Sequence, residues 1–217
     1  YGVAGTKTIR IRGTYDSIRF YDGGDKEKII SLDQWGTNSW TSLNAAFFGA
    51  VNLRVLAIDT PDFSAVTNMS GMFANATLAN PNVSGWDTSS VTDMAVMFAG
   101  AISFNRNLGS WNVTKLTDAT DMFEGVTLST ANYERLLIGW SDQALKPGVI
   151  FSGGNSKYCS ASVESARANM VASDSWDIRD GGQICDSTDD FVTTWKTDNP
   201  GSSNATSITV PIVGGPY

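Results

Sequence analysis

Val66-Thr-Asn-Met69-Ser-Gly-Met72-Phe73, Val91-Thr-Asp-Met94-Ala-Val-Met97-Phe98 and Leu116-Thr-Asp-Ala119-Thr-Asp-Met122-Phe123 line up residue for residue, each copy beginning 25 residues after the last. A self-similar period of roughly 20 to 29 residues is the mark of a leucine-rich-repeat solenoid, whose units bury their apolar faces by stacking. Working outward, the unit reads L-x-x-W-x-T-x-x-V-x-x-M-x-x-M-F-x-x-A. Leu32/Trp35/Leu43/Phe47, Ile58/Pro61/Val66/Met72/Phe73, Val83/Trp86/Val91/Met97/Phe98 and Leu108/Trp111/Leu116/Met122/Phe123 fill it, and Leu137/Trp140/Asp142/Leu145 begins a fifth copy that fades. The opening spacing predicts a short strand, and the later apolar positions at steps of three predict a helical or 3₁₀ return. Roughly eight buried side chains at about 2 kcal/mol each do not offset an ordering cost of about 1.5 kcal/mol for every residue of one unit, so a unit requires neighbours.

The strings Asn82-Val-Ser-Gly-Trp86-Asp-Thr-Ser-Ser-Val91-Thr-Asp-Met94 through Ala101, and Asn107 through Gly125, resemble the BspA-like leucine-rich-repeat surface proteins, a family of bacterial cell-surface proteins and large adhesins. The resemblance covers roughly residues 25 to 186 and reaches Leu128–Tyr133, Leu136–Trp140 and Ser152–Cys159, which look like the closing element of such arrays. It implies an extracellular or cell-surface location, adhesion to a protein, peptide or glycan on another cell, and no catalysis. Lys7-Thr-Ile9-Arg-Ile11-Arg-Gly13 alternates with period two, and Phe191–Trp195 with Ser207–Pro211 reads as strand, turn, strand. These flanks resemble pieces of polycystic-kidney-disease-like β-sandwich repeats, so Ile9, Ile11, Ile208 and Val210 are expected on sheet surfaces, within the chain or against a neighbouring molecule. The expected organisation is terminal strands over 1–24, a leucine-rich-repeat solenoid over 25–148, a C-terminal cap over 149–186 and the start of a β module over 187–217.

Val163-Glu-Ser-Ala166-Arg-Ala-Asn-Met170-Val171 carries apolar residues at helical intervals, and Ser175-Trp176-Asp-Ile178 alternates like a strand. Cys159 and Cys185, the two cysteines of the chain, flank these elements. Paired, they close a loop worth about 3.5 kcal/mol in the chain-entropy model and place the protein in an oxidising compartment; unpaired, they are two buried thiols.

The net charge is −7 and the pI about 4.5, which sets the chain against nucleic acid and anionic membrane surfaces, both of which repel an anion. No apolar run approaches the roughly 20 residues that span a bilayer. The sequence contains no histidine, which removes the commonest general base and the serine and cysteine triads that depend on it. No phosphate-cradling glycine motif is present. A carbohydrate-active enzyme working through paired carboxylates is one alternative, and a spacer that sets length in a long adhesin is another.

Strands stacked about 4.8 Å apart would turn equivalent positions into columns. One column reads Gly36, Asp62, Asp87, Asn112, Ser141, and the other Gln34, Thr60, Gly85, Ser110, Gly139. Gln34, Thr60, Asp62, Asp87, Ser110 and Asn112 are therefore the candidate ligand-binding residues. No cofactor is required; a calcium ion between Asp62 and Asp87 would relieve their like charges. Asp22–Asp25 and Asp186–Asp190 are acidic joints without EF-hand spacing. Trp35, Trp86 and Trp111 stand where leucine stands in ordinary repeats and are expected in the core with the methionines, whereas Trp40, Phe48 and Trp195 are expected at the surface. Asn-x-Ser/Thr triplets occur at Asn68, Asn75, Asn82, Asn112 and Asn204.

Overall fold

The structure is a computed structural model that describes residues 5–185. The chain divides into two units, Tyr1–Ile184 and Cys185–Tyr217, and the account below concerns the first. The strands expected at 191–195 and 207–211, and Trp195, Ile208 and Val210, lie outside the described residues.

The leucine-rich-repeat solenoid does not form as expected. The regular elements are a 3₁₀ turn at Lys26–Lys28, β1 (Ser31–Leu32), β2 (Arg54–Val55), α1 (Thr130–Ser141), β3 (Ile150–Ser152), α2 (Ala161–Asp174) and β4 (Asp177–Arg179). Two parallel sheets of two strands each, β1–β2 and β3–β4, replace a continuous ladder. Trp86 and Trp111, placed by the repeat on strands, sit in turns and irregular backbone, and the helical return after each methionine is a run of turns.

The cause is a backbone alternation that breaks helix and strand alike. Ala45, Gly71, Val96 and Asp121 all have positive φ, at +53°, +61°, +50° and +54°. So do Gly49, Asn75, Gly100 and Gly125 at the second corner of each segment. A left-handed residue ends either regular run. Backbone amides therefore turn to the segment about 25 residues on: Met69 N–H donates to Asp93 O at 2.9 Å, Met94 to Asp118 O at 2.8 Å, Phe73 to Met97 O at 2.8 Å and Phe98 to Met122 O at 3.0 Å. Isolated parallel bridges, among them Asn68–Asp93 and Asp93–Asp118, mark these contacts.

Val96 is the costliest of the left-handed residues, because a β-branched side chain fits that region poorly. It is partly exposed at 36%, so glycine there forfeits little burial. Val96→Gly is expected to stabilise the chain by about 1 kcal/mol, read as a higher urea midpoint at constant slope.

Between the segments runs an aromatic core. Phe47, Phe73, Phe98 and Phe123 stack with ring centroids 5.4, 5.8 and 5.7 Å apart. Trp86 and Trp111 stack at 6.0 Å, and Met69, Met72, Met94, Met97 and Met122 are fully buried beside them. Trp40 was expected at the surface and is instead buried, edge-on to Trp35 and Tyr15; Phe48 is half-buried. At the N-terminal end the expected strand over Lys7–Gly13 is absent and Ile9 and Ile11 are exposed. Alternation alone does not make a strand where no partner supplies the ladder. Within residues 5–24 the chain contributes one parallel bridge, Ser17–Ser42.

The expected fifth copy is not a repeat but helix α1. Ser129 caps it by accepting the Asn132 N–H, and Tyr133, Leu136, Leu137 and Trp140 bury one face at helical spacing. Gly139 lets this helix press on the preceding turn, since a Cβ there would fall 2.0 Å from the Gly109 carbonyl oxygen. β3, α2 and β4 then form a parallel strand pair joined by a helix, which encloses Val163, Met170, Trp176 and Ile178. Cys159 and Cys185 are disulfide-bonded. Among the described residues no helix is long and apolar enough to cross a membrane.

Candidate functional site

Each segment closes its surface turn with a side-chain oxygen two residues before a hydroxyl. Asp62 Oδ1 accepts from Ser64 Oγ at 2.6 Å and from its N–H at 3.2 Å. Asp87 Oδ1 accepts the Ser89 N–H at 2.9 Å, and Asn112 Oδ1 accepts Thr114 Oγ1 at 2.7 Å and its N–H at 3.1 Å. These are Asx turns, which Asp and Asn form because their short side chains mimic a backbone carbonyl. They hold three of the six candidate residues in one repeated conformation. All six, Gln34, Thr60, Asp62, Asp87, Ser110 and Asn112, are exposed.

Adjacent segments are tied across this surface. Ser39 Oγ donates to Asp62 Oδ2 at 2.6 Å, and Ser39 and Asp62 form a parallel bridge. Thr88, buried, donates to the Asn112 carbonyl at 3.0 Å. The hydroxyl of Ser39, and then the groups of Ser64, hold the Asp62 carboxyl below the usual carboxylate range. Ser89 does the same for Asp87, against burial and the opposing charge of Asp62. Both folded values are depressed, so their contribution is present above the unfolded value near 3.9 and is lost as pH falls through the folded one. Among the described residues no group of three or more acidic, cysteine or histidine side chains converges to hold a metal.

A cavity of about 70 Å³ opens beside this column, between Ala57–Pro61 and Asn82–Trp86. Thr60 is on its wall. A second, of about 360 Å³, lies where the last repeat segment meets the cap, lined by Asp121, Glu124, Ser152, Asn155, Arg179 and Asp180. Asp180 is committed to structure there: its side chain is 2% exposed, and it accepts from Arg167 Nε at 2.9 Å and Tyr133 Oη at 2.7 Å. Arg167 also lies over the Tyr158 ring, 5.9 Å from its centroid, and Tyr158 donates to Glu164.

Burial, followed by the adjoining carboxylates, holds both phenols neutral beyond the usual range; Tyr158 is pushed up to about 12 and Tyr133 is raised well above its ordinary value. A raised folded value means a contribution fully present below pH 10 and lost as pH climbs towards 12. Alkaline titration is expected to unfold the cap in that window, with phenolate absorbance and loss of circular dichroism rising together. Tyr158→Phe is expected to blunt the coupling, and an unchanged alkaline midpoint would count against this network.

Sequence reasoning missed both cavities. The smaller one left one signal: Pro61 interrupts the tryptophan column between Trp35 and Trp86. A family model described as "Mycoplasma protein of unknown function, DUF285" matches residues 19–136, more than half of the 217-residue chain. Neither the comparison with curated proteins nor that with solved structures returns a match.

Proposed function

Starting from the premise that the chain belongs to the DUF285 family, we propose that it is an extracellular, non-catalytic binding module that adheres to a protein or glycan on another surface. One observation carries this reading: Asp62, Asp87 and Asn112 are exposed, adjacent along the repeat, and set in the same conformation by the same turn hydrogen bonds. Side chains ordered before a ligand arrives lose little entropy when it binds. The rigid aromatic core beneath supplies the stiffness that this requires. An acidic face suits partners with hydroxyl, amide or basic groups and repels nucleic acid and anionic lipid. The disulfide fits an oxidising compartment outside the cytosol. The resemblance to BspA-like surface proteins points the same way.

Serine hydroxyl and backbone N–H groups already hydrogen-bond the charged Asp62 and Asp87 carboxylates. Calcium between the two acids would have to compete with Ser39 and Ser64 for the Asp62 oxygens.

The test is an array of glycans and peptides probed with the chain. Reproducible hits that weaken about tenfold in Asp87→Ala or Asn112→Ala, with melting temperature retained, are the expected outcome. Uniform silence would overturn adhesion in favour of a spacer, and turnover of a polysaccharide would overturn the non-catalytic reading.

A further inference from the structure

The two ends of the core are closed differently. At the C-terminal end α1, β3, α2 and β4 cover it and leave Trp140, Phe151 and Trp176 buried. At the N-terminal end Tyr15, Ile18, Phe20, Ile29 and Leu32 pack against it but remain half-buried. β1 lies at this end, and among the described residues it pairs with β2 alone. Arg54 N–H donates to Ile30 O at 3.0 Å and Leu56 N–H to Leu32 O at 2.9 Å. A parallel ladder draws on alternate residues of a strand, so the backbone groups of Ser31 and Asp33 face away from β2. Neither residue makes a backbone hydrogen bond outside the β1–β2 ladder among the described residues.

A strand that fits this edge stands unused in the same sequence. Lys7-Thr-Ile9-Arg-Ile11-Arg12 alternates with period two, is exposed along its whole length and has no ladder partner, with Ile9 at 75% and Ile11 at 60% exposure. β1 pairs with β2 at an offset of 23 residues, Ser31 opposite Arg54. The same offset applied backwards sets Thr8 opposite Ser31, Ile9 opposite Leu32 and Arg10 opposite Asp33. Apolar then meets apolar on the core side, and opposite charges meet on the exposed side. The charge distribution agrees. Residues 1–15 hold Lys7, Arg10 and Arg12 and no acid, and the other twelve lysines and arginines stand against all 22 acids, a balance of −10.

We propose that Lys7–Arg12 completes the β1 edge of a second copy of this chain, each copy placing its segment on the other in a closed two-fold dimer. This association goes beyond the adhesion reading and does not depend on it. Length decides between a second copy and the segment's own β1. Ser17 bridges Ser42 in the same chain, and Leu32 to Ser42 is ten steps along the backbone. With Ile9 opposite Leu32, Ile9 to Ser17 is eight steps, two short of the connection it would have to run beside. Restoring ten steps would put Lys7, not an isoleucine, opposite Leu32. A connector too short to fold back favours exchange between chains, and Gly13, at a φ of +117°, supplies the hinge. The alternating segment thus has no ladder within one chain and gains one from its neighbour, which also covers the half-buried end of the core.

The test is sedimentation velocity on the full chain from micromolar to submillimolar concentration, where a monomer–dimer equilibrium is expected. Ile9→Asp and Arg10→Glu should each raise its dissociation constant about tenfold or more. Both positions are exposed in the single chain, so the melting temperature of the monomer is retained. Combining Arg10→Glu with Asp33→Arg should restore the dimer, which a general loss of folding would not allow. Inserting Gly-Ser after Gly13 lengthens the connector by two residues and should shift the equilibrium to a monomer whose Ile9 amide is protected from exchange by its own β1. A monomer at every concentration overturns the proposal. So does a dimer indifferent to Ile9→Asp and Arg10→Glu, or one whose dissociation constant the insertion leaves unchanged.

Discussion

Phe98→Ala is expected to cost about 3 to 5 kcal/mol of stability. The ring is fully buried and stacks on Phe73, Phe104 and Phe123 at centroid distances of 5.8, 3.8 and 5.7 Å. Removing it breaks the phenylalanine column at its middle and leaves a void that neighbours tied segment to segment by backbone hydrogen bonds cannot collapse to fill. Aromatic pairs add about 0.5 to 1.5 kcal/mol beyond area burial, which places this site at the upper end of the range. Urea unfolding measures it, with Ile102→Ala, at 68% exposure, as the surface control. A loss for Phe98→Ala no larger than the control's would contradict the packing described above.

Gly154→Ala is expected to be comparably severe, at about 3 to 4 kcal/mol, combining left-handed strain with overpacking. Gly154 has φ +63°, and a Cβ on it would lie 2.1 Å from the Phe123 carbonyl oxygen and 2.4 Å from that of Val126. Both obstacles are backbone, so no rotamer change relieves them. Asn155 N–H donates to the Val126 carbonyl at 2.9 Å, one of several bonds, with Phe123 N–H to the Ser152 carbonyl at 3.1 Å among them, that join the cap to the last repeat segment, and the added methyl would force it apart. Hydrogen exchange should therefore show the cap opening first, with protection of Phe73 and Phe98 amides lost later. Uniform loss across the chain would mean that the cap and the repeat do not unfold separately.

How much of this was legible beforehand depends on the range over which each feature is decided. The 25-residue register of Val66, Val91 and Leu116 put Met72, Met97 and Met122, and Phe73, Phe98 and Phe123, at equivalent places. A hydrophobic repeat read one period at a time carries that information. The same register placed Asp62, Asp87 and Asn112 in one column, and their Asx turns follow from residue type and the hydroxyl two positions on. The apolar spacing of Val163, Ala166 and Met170 marks α2 for a similarly local reason.

The conformation of the segments was another matter. A period of 25 is shared by several backbones, and nothing in Ala45, Val96 or Asp121 announces a left-handed residue; Gly71 at that corner, and Gly49, Asn75, Gly100 and Gly125 at the second, were the hints. Trp40 went inside because Trp35 and Tyr15 close over it, which neighbours in space decide. Leu137 and Trp140 obeyed helical spacing rather than the fading repeat because Ser129 caps a helix there.

The sequence by itself determined that successive copies must share one aromatic and methionine core, because the apolar residues recur in step and a single copy cannot bury them. Only the tertiary structure decided that the copies join through alternating left-handed corners instead of strand and helix, and that Ile58 stands exposed while Pro61 and Trp86 are buried. Those outcomes turn on which carbonyl lies opposite which amide once segments 25 residues apart are brought together, and a linear pattern does not contain that distance.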